Sequence, residues 1–167
     1  MPIELLISQA VPTDAALMAS LHAGSFDRAW DEQAMATFLA GPGTLCLIGF
    51  AGDAGPVPAG LLIVRRAGDE AEVLTLCVVP ACRGLGLGRA LLRHAVEALR
   101  KRGAERLFLE VDEGNAAAVA LYRSLGAEPV GQRPGYYDSG ANATIFSLAL
   151  SDSRSDDGPP KESRGER

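Results

Sequence analysis

The 167-residue sequence is poor in the residues that build disulfide frameworks and metal centres, with three cysteines and two histidines. Cys46, Cys77 and Cys82 are odd in number and irregularly spaced. This pattern argues against a disulfide scaffold and favours a reducing compartment. His22 and His94 are far apart in the sequence, so we expect no zinc or other metal site.

A strong charge of one sign and long apolar runs are also missing. The formal net charge is −5 and charged residues make up 22%, so no general affinity for nucleic acid is expected. No apolar run approaches the roughly 18 residues that a membrane span needs. The start, Met1-Pro2-Ile3-Glu4, lacks the cationic residues of a signal peptide. We therefore expect a cytoplasmic protein that binds neither a membrane nor a nucleic acid.

The composition changes once along the chain, at Ser151. Residues 1–150 hold the large apolar residues, and their length and apolar content are sufficient for one domain with a single core. Residues 151–167 contain no large apolar residue and cannot bury enough surface to offset the entropy of ordering. We predict a domain over residues 1–150 and a disordered polar tail over residues 151–167.

Apolar periodicity and capping residues predict the element order β-α-α-β-β-β-α-β-α-β-β. Such an order indicates an α/β (α+β) protein with a mixed sheet flanked by helices. Thr13 or Asp14, Asp31 and Asn115 are the predicted caps of three helices, and the remaining helix is predicted over residues 87–102. The predicted strands cover residues 3–8, 44–50, 59–65, 71–79, 106–111, 129–133 and 144–150.

The fourth predicted strand leads into a glycine-rich turn, Pro80-Ala81-Cys82-Arg83-Gly84-Leu85-Gly86-Leu87-Gly88-Arg89, and then into an amphipathic helix. Glycines allow a polyphosphate to approach the backbone, and a helix N-terminus favours its negative charge. The dinucleotide fingerprint would need a glycine at Arg89 or Leu91, and the Gly-Lys-Ser/Thr end of a P-loop is absent. The turn therefore indicates another phosphate-bearing cofactor, with an ordinary strand-to-helix turn as the alternative.

The run Arg83 to Gly88 has the spacing R-x-x-G-x-G and resembles the acetyl-coenzyme A motif of the GNAT N-acetyltransferase superfamily. The element order from Ile3 to Leu150 also resembles the fold of that family. The resemblance implies a mixed, mostly antiparallel sheet with a splayed central parallel pair, and acetyl-CoA as co-substrate without a metal. It implies that the cofactor contacts Leu76, Cys77, Val78, Val79, Arg83, Gly84, Leu85, Gly86, Leu87, Gly88, Arg89 and Asn115.

The resemblance also implies which of these residues would bind each part of the cofactor. The backbone N–H groups of Arg83 to Arg89 would hold the pyrophosphate. The pantetheine arm would pair with the backbone around Leu76 to Val78, as an added strand does. A backbone N–H near Val78 or Val79 would polarise the thioester carbonyl.

A second motif, Leu109-Glu110-Val111-Asp112-Glu113-Gly114-Asn115 and on to Tyr122, holds a candidate base and a candidate acid for acyl transfer to an amine. Glu110 alternates with apolar strand neighbours and so faces away from them. Asn115 and Tyr122 are two helical turns apart and share a helix face. A solvent-facing glutamate, a core tyrosine and a plain N-cap asparagine are the structural alternatives.

This second motif is similar to that of the ribosomal-protein alanine N-acetyltransferase subfamily, the RimI type. The resemblance implies that Glu110 is the general base, acting through water, and that Tyr122 protonates the coenzyme A thiolate. Asn115 would lie beside the pantetheine. Asp112 replaces an arginine that is usual in the subfamily, a change that could alter recognition of the substrate terminus.

Two further elements resemble the acceptor side of the same subfamily. The implied acceptor-binding residues are Phe26 and Trp30, followed by Arg133, Tyr136 and Tyr137. The alternatives are a hydrophobic anchor for Trp30 and an edge-strand aromatic pair for the two tyrosines, and we expect His22 to be a helix-end histidine.

The resemblance predicts acetyl transfer from acetyl-CoA to the N-terminal alanine of a ribosomal protein, by a monomer or weak dimer. A lysine or small-molecule amine as acceptor is the first alternative. A non-catalytic acyl-CoA-binding module is the second, and the pair Glu110 and Tyr122 argues against it.

Overall fold

A computed structural model of the protein describes residues 2–136 and 140–150. The predicted tail over residues 151–167 and the candidate residue Tyr137 lie outside the described residues. The element order is the predicted one. The strands are β1 (Glu4–Gln9), β2 (Thr44–Gly52), β3 (Val57–Ala67), β4 (Glu70–Val78), β5 (Arg106–Asp112), β6 (Glu128–Arg133) and β7 (Ala143–Ala149). The helices are α1 (Ala15–Ala23), α2 (Glu32–Ala40), α3 (Leu87–Lys101) and α4 (Ala116–Ser124).

In the described part of the chain the strands form one seven-stranded sheet in the order β1-β2-β3-β4-β5-β7-β6. Every neighbouring pair is antiparallel except β4 and β5, which run parallel. That parallel ladder joins Glu70–Glu72 to Arg106–Phe108 only. Beyond it the described residues of the two strands are not paired, and the sheet opens as the predicted splay.

The helices cover the two faces of the sheet, and each face has its own buried cluster. On one face α3 and α4 pack over a cluster that includes Leu62, Leu91, Leu109 and Phe146. On the other face α1 and α2 pack over β2, β3 and β4, and Met18 belongs to that second cluster. Burial of these apolar side chains is the main stabilising contribution. No helix among the described residues is both long and apolar enough to cross a lipid bilayer.

The helix ends follow the local signals in the sequence. Asp31 caps α2 by accepting from the backbone N–H of Ala34 at 2.8 Å, as predicted. The first helix begins differently, because a single 3-10 turn over Pro12–Asp14 precedes α1. The Asp14 carboxylate accepts from the backbone N–H of Val11 at 2.8 Å. Asp14 therefore holds the entry turn and makes no side-chain cap bond to α1 itself.

Candidate active site

The opening between β4 and β5 is the feature that organises the site. The backbone N–H of Val79 donates to the carbonyl of Ala59 on β3 at 2.8 Å. Because hydrogen bonding alternates along an antiparallel pair, Val78 stands opposite Gly60 in a non-hydrogen-bonded position. The backbone groups of Leu76 and Val78 therefore face the opening, whereas those of Cys77 and Val79 face β3. Of the two predicted carbonyl-polarising amides, the geometry leaves Val78 available.

The glycine turn lies between the opening and the start of α3. Gly84 and Gly86 have φ angles of +80° and +88°, a region where glycine carries no steric penalty. The first α3 bond runs from the Ala90 N–H to the Gly86 carbonyl at 3.0 Å. The N–H groups of Leu87, Gly88 and Arg89 thus have no acceptor within the helix. The turn presents a set of backbone donors at a positive helix end.

Gly88 differs from Gly84 and Gly86, because it lies where elements pack closely and does not have a positive φ. It lies inside α3, and a Cβ added there would be 3.5 Å from Leu121 Cδ2 and 4.0 Å from Val78 Cγ2. The first turn of α3, the middle of α4 and the end of β4 therefore meet at this glycine. This contact places the glycine turn beside the opening in the sheet.

The side chains of the two arginines in the turn form hydrogen bonds within the protein. Arg83 Nε donates to the Val78 carbonyl at 3.0 Å, which ties the turn to the end of β4. Arg89 Nη2 donates to Ser124 Oγ at 2.7 Å, which ties α3 to α4. Nothing in the sequence pattern indicated these partners, because each bond joins separate elements.

Three other predicted cofactor residues fall in distinct environments. Cys77 is buried, with its Sγ 3.8 Å from the carbonyl oxygen of Leu21. Burial raises the pKa of its thiol, which disfavours the reactive thiolate. Leu87 is buried in the core, whereas Leu85 is 40% exposed at the tip of the turn.

Glu110 lies on β5, on the sheet face that α1 and α2 share. Its strand neighbours Leu109 and Val111 are buried on the α3–α4 face, so alternation directs Glu110 to the other face. Glu110 Oε1 forms an ion pair with Arg133 Nη2 at 3.0 Å. The side chains of Glu110 and Arg133 are 27% and 55% exposed. The candidate base is therefore accessible and has a cationic partner that the sequence pattern did not reveal.

Tyr122 lies on α4, across the sheet from Glu110. It is 6% exposed and belongs to the cluster that includes Leu109 and Val111. Its ring packs edge-to-face on Phe146, with centroids 6.0 Å apart. Asn115 caps the same helix, with its Oδ1 accepting from the Ala118 N–H at 3.1 Å. Both structural alternatives, a core tyrosine and a capping asparagine, are thus met, and they leave the functional assignments as predictions.

An aromatic group forms the connection between α1 and α2. His22 is buried at the end of α1, and its ring stacks on Trp30 with centroids 4.7 Å apart. The backbone N–H of Trp30 donates to His22 Nδ1 at 3.0 Å. The Phe26 ring packs on the His22 ring with centroids 4.4 Å apart, and Phe26 is 42% exposed. His22 is a helix-end histidine, as expected, and it orders the loop that carries Phe26 and Trp30.

The connection from β6 to β7 begins beside the Glu110 carboxylate. The Arg133 guanidinium lies over the Tyr136 ring, 5.6 Å from its centroid. The N–H of Gly135 donates to Asn142 Oδ1 at 2.9 Å, and the carbonyl of Asn142 accepts from the N–H of Glu113 at 3.2 Å. These bonds fix the described parts of the loop next to the end of β5.

Comparison with known proteins decides the family. The model of the acetyltransferase (GNAT) family matches residues 15–127. The chain belongs to the GNAT acetyltransferase family. It is 43% identical over 96 residues to the [ribosomal protein bS18]-alanine N-acetyltransferase of Escherichia coli, a match over 56% of this chain and 65% of that protein. The chain thus spans slightly under two thirds of the length of that relative.

Two longer matches agree with this membership. The N-alpha-acetyltransferase RimI of Mycobacterium tuberculosis is 38% identical over 143 residues, which cover 78% of this chain and 83% of that protein. A crystal structure of the ribosomal-protein-S18-alanine N-acetyltransferase from Escherichia coli superposes with a TM-score of 0.78 at 34% identity. That superposition covers 89% of this chain and 95% of the other. The chain therefore has the GNAT fold, in which the parallel pair of the seven-stranded sheet is β4 and β5.

The observed turn suits the acyl donor that a GNAT acetyltransferase would take. A Cβ added at Gly84 would have nothing within 4 Å, so the outer side of the turn is open. The helix-end donors of Leu87, Gly88 and Arg89 match the negative charge of a pyrophosphate. Among the described residues no group of three or more His, Cys, Asp or Glu side chains could hold a metal ion.

Asp112, the departure from the subfamily pattern, has a clear local role. Its Oδ1 accepts from the Gly114 N–H at 2.7 Å, and its carbonyl accepts from the Asn115 N–H at 2.9 Å. This Asx turn carries the chain from β5 into α4. An aspartate followed two residues later by glycine is a turn signal that the sequence already contained.

Proposed function

We propose that this GNAT protein transfers the acetyl group of acetyl-CoA to the N-terminal amine of a protein, with the alanine of a ribosomal protein as the acceptor. The observation that carries the proposal is the arrangement around the opening of the sheet. Glu110 lies on one face, Tyr122 lies on the other, and the Val78 N–H faces the gap between β4 and β5. The substrates named for the relatives support the choice of acceptor.

The donor would bind along the opening as an additional strand. The glycine turn would hold the pyrophosphate, and Leu76 and Val78 would offer their backbone groups to the pantetheine arm. The Val78 N–H would then donate to the thioester carbonyl oxygen as negative charge develops there. Arg83 donates to the Val78 carbonyl and so holds the following peptide unit, Val78–Val79, next to the proposed donor.

The proton balance gives the two ionisable side chains separate tasks. The acceptor amine loses one proton as its nitrogen bonds to the acetyl carbon, and Glu110 takes that proton through water. The thiolate that leaves when the carbon–sulfur bond breaks takes a proton from the Tyr122 hydroxyl. The positions on opposite faces of the sheet suit these roles, since the base must meet the acceptor and the acid must meet the donor.

The amine's own pKa favours a protein N-terminus. An α-amino group has an unperturbed pKa of about 7.7–8.0, against about 10.4 for lysine. A lysine would need roughly 3.4 kcal/mol more to reach the free-base form at the same pH, at about 1.36 kcal/mol per pKa unit. A partly exposed carboxylate that acts through water is sufficient for the first amine and is less suited to the second.

The proposed acceptor walls would suit an extended chain end. The loop with Phe26 and Trp30 would form one wall, and Tyr136 would form the other. Phe26 and Tyr136 are 42% and 52% exposed, so both offer apolar surface to a ligand. Exposed aromatic rings of this kind are favourable contact surfaces for a peptide.

The test is acetyl transfer to a peptide that begins with alanine. The matched control is the same peptide with a blocked N-terminus and one free lysine, and a polyamine is the third acceptor. We expect transfer to the free alanine terminus alone, measured by coenzyme A thiol release and by the mass of the product. Transfer to the lysine control or the polyamine alone would assign the chemistry to another acceptor and reject the N-terminal proposal.

A further inference from the structure

We propose that Arg133 is a positioning residue for the Glu110 carboxylate, rather than a contact for the acceptor peptide. This inference rests on the proposed function, in which Glu110 takes the proton of the amine. The juxtaposition that carries it is the ion pair between Arg133 Nη2 and Glu110 Oε1 at 3.0 Å. With Oε1 engaged by the guanidinium, Oε2 is the oxygen left for water and the amine.

The pair contributes little to the stability of the fold, because the side chains of Arg133 and Glu110 are 55% and 27% exposed and solvent screens their attraction. Its consequence is the orientation of the carboxylate. Arg133 stands at the end of β6, where its backbone pairs with Ala143 of β7, and Ala143 in turn pairs with Asp112 of β5. Both partners are therefore anchored on strands of one sheet, which fixes their separation better than a loop would.

Tyr136 holds the arginine from its other side. The guanidinium lies 5.6 Å from the centre of the Tyr136 ring, within the range of a cation–π contact. Glu110, Arg133 and Tyr136 thus form a connected series from β5 to the β6–β7 loop. The series explains why the planar guanidinium of arginine suits this position better than a lysine ammonium does.

The positive charge also has an effect on the substrate. A carboxylate alone would attract the protonated amine, which cannot attack the thioester. With Arg133 beside it the carboxylate is already paired, so the site gains less from holding the ammonium form. Removal of the arginine should therefore lower kcat and leave the KM for the peptide unchanged or smaller, whereas loss of a peptide contact would raise KM.

The experiment is a double-mutant cycle on the full chain with the alanine peptide. We expect R133A to lower kcat by about tenfold or more, since small errors in the position of a reacting group are costly. We expect R133K to restore part of this loss. In an E110Q background, R133A should change kcat by less than about twofold, because coupled residues are not additive. The control is R65A, which breaks the exposed Arg65–Glu72 ion pair between β3 and β4.

The outcomes separate the two proposals. A raised KM with unchanged kcat in R133A, or equal factors of loss with and without Glu110, would overturn the positioning role and leave the proposed function standing. Full turnover in E110Q would overturn Glu110 as the base and the role of Arg133 with it. A drop in R65A as large as that in R133A would show a general effect of lost ion pairs and would also overturn the inference.

Discussion

Replacement of Tyr122 by phenylalanine tests the proposed role of the tyrosine hydroxyl separately from the packing of the ring. The ring is 6% exposed and meets Phe146 edge-to-face with centroids 6.0 Å apart. Phenylalanine keeps this ring contact and the helical position. The substitution therefore removes the hydroxyl alone, which is the group assigned to the leaving thiolate.

The expected magnitude follows from the two roles of that residue. Loss of one hydroxyl from a packed ring should change the free energy of unfolding by about 1 kcal/mol. Loss of a general acid should lower kcat by about 10²–10⁴-fold, equivalent to about 3 to 5 kcal/mol in the barrier. The effect on turnover should thus exceed the effect on stability severalfold.

The assay is initial-rate thiol release at saturating acetyl-CoA and alanine peptide, with coenzyme A binding followed by calorimetry. The matched control is Phe146→Leu, which disturbs the same ring contact and costs about 1 to 2 kcal/mol of stability. We expect Tyr122→Phe to bind coenzyme A normally and turn over slowly, and Phe146→Leu to be less stable with near-normal turnover. Wild-type turnover in Tyr122→Phe would remove the hydroxyl from the mechanism and leave Tyr122 a core residue.

Three further predictions concern the cofactor turn, a helix cap and the buried histidine. Gly86→Val should abolish coenzyme A binding in calorimetry, whereas Gly103→Val, with a similar φ of +85° at the other end of α3, should strain the backbone equally and keep binding; equal losses would refute the cradle. Asn115→Ala should lower the free energy of unfolding by roughly 1 kcal/mol through loss of the cap, and Asn115→Asp, which keeps the cap, should weaken coenzyme A binding only if the side chain touches the cofactor. Burial lowers the pKa of His22, so the unfolded chain binds the proton first; the contribution of His22 to stability should be complete above about pH 7 and be lost progressively as the pH drops below about 6.5. The urea midpoint should lose part of this dependence in His22→Gln and keep it in His94→Gln.

The local signals of the sequence determined the elements and their ends. Strand alternation, the caps at Asp31 and Asn115, and the glycines that end α3 and α4 act within a few residues of chain, so the pattern alone is sufficient to place them. The entry to α1 was predicted less well. There the Asp14 carboxylate bonds back to Val11 and makes a 3-10 turn, a choice between two short-range bonds that the sequence does not settle.

In the candidate site, too, short motifs could be predicted from the sequence, whereas contacts between strands could not. The glycine turn and the Glu110 to Tyr122 segment could be read from the sequence, because each is a short motif on one strand–helix unit. The choice of Val78 over Val79 required the register with β3, where the Ala59 carbonyl engages the Val79 amide. That register depends on which strands pair and on a β-bulge between Ile63 and Val64.

By itself, then, the sequence determined the order of elements, the glycine turn proposed to bind phosphate and the candidate acid and base. The tertiary structure decided which groups face one another. It placed Glu110 and Tyr122 on opposite faces of the sheet, directed the Val78 amide into the opening and paired Glu110 with Arg133. The physical reason is range: propensities and caps act between near neighbours in the chain, whereas these contacts join β4, β5 and β6 through the register of one sheet.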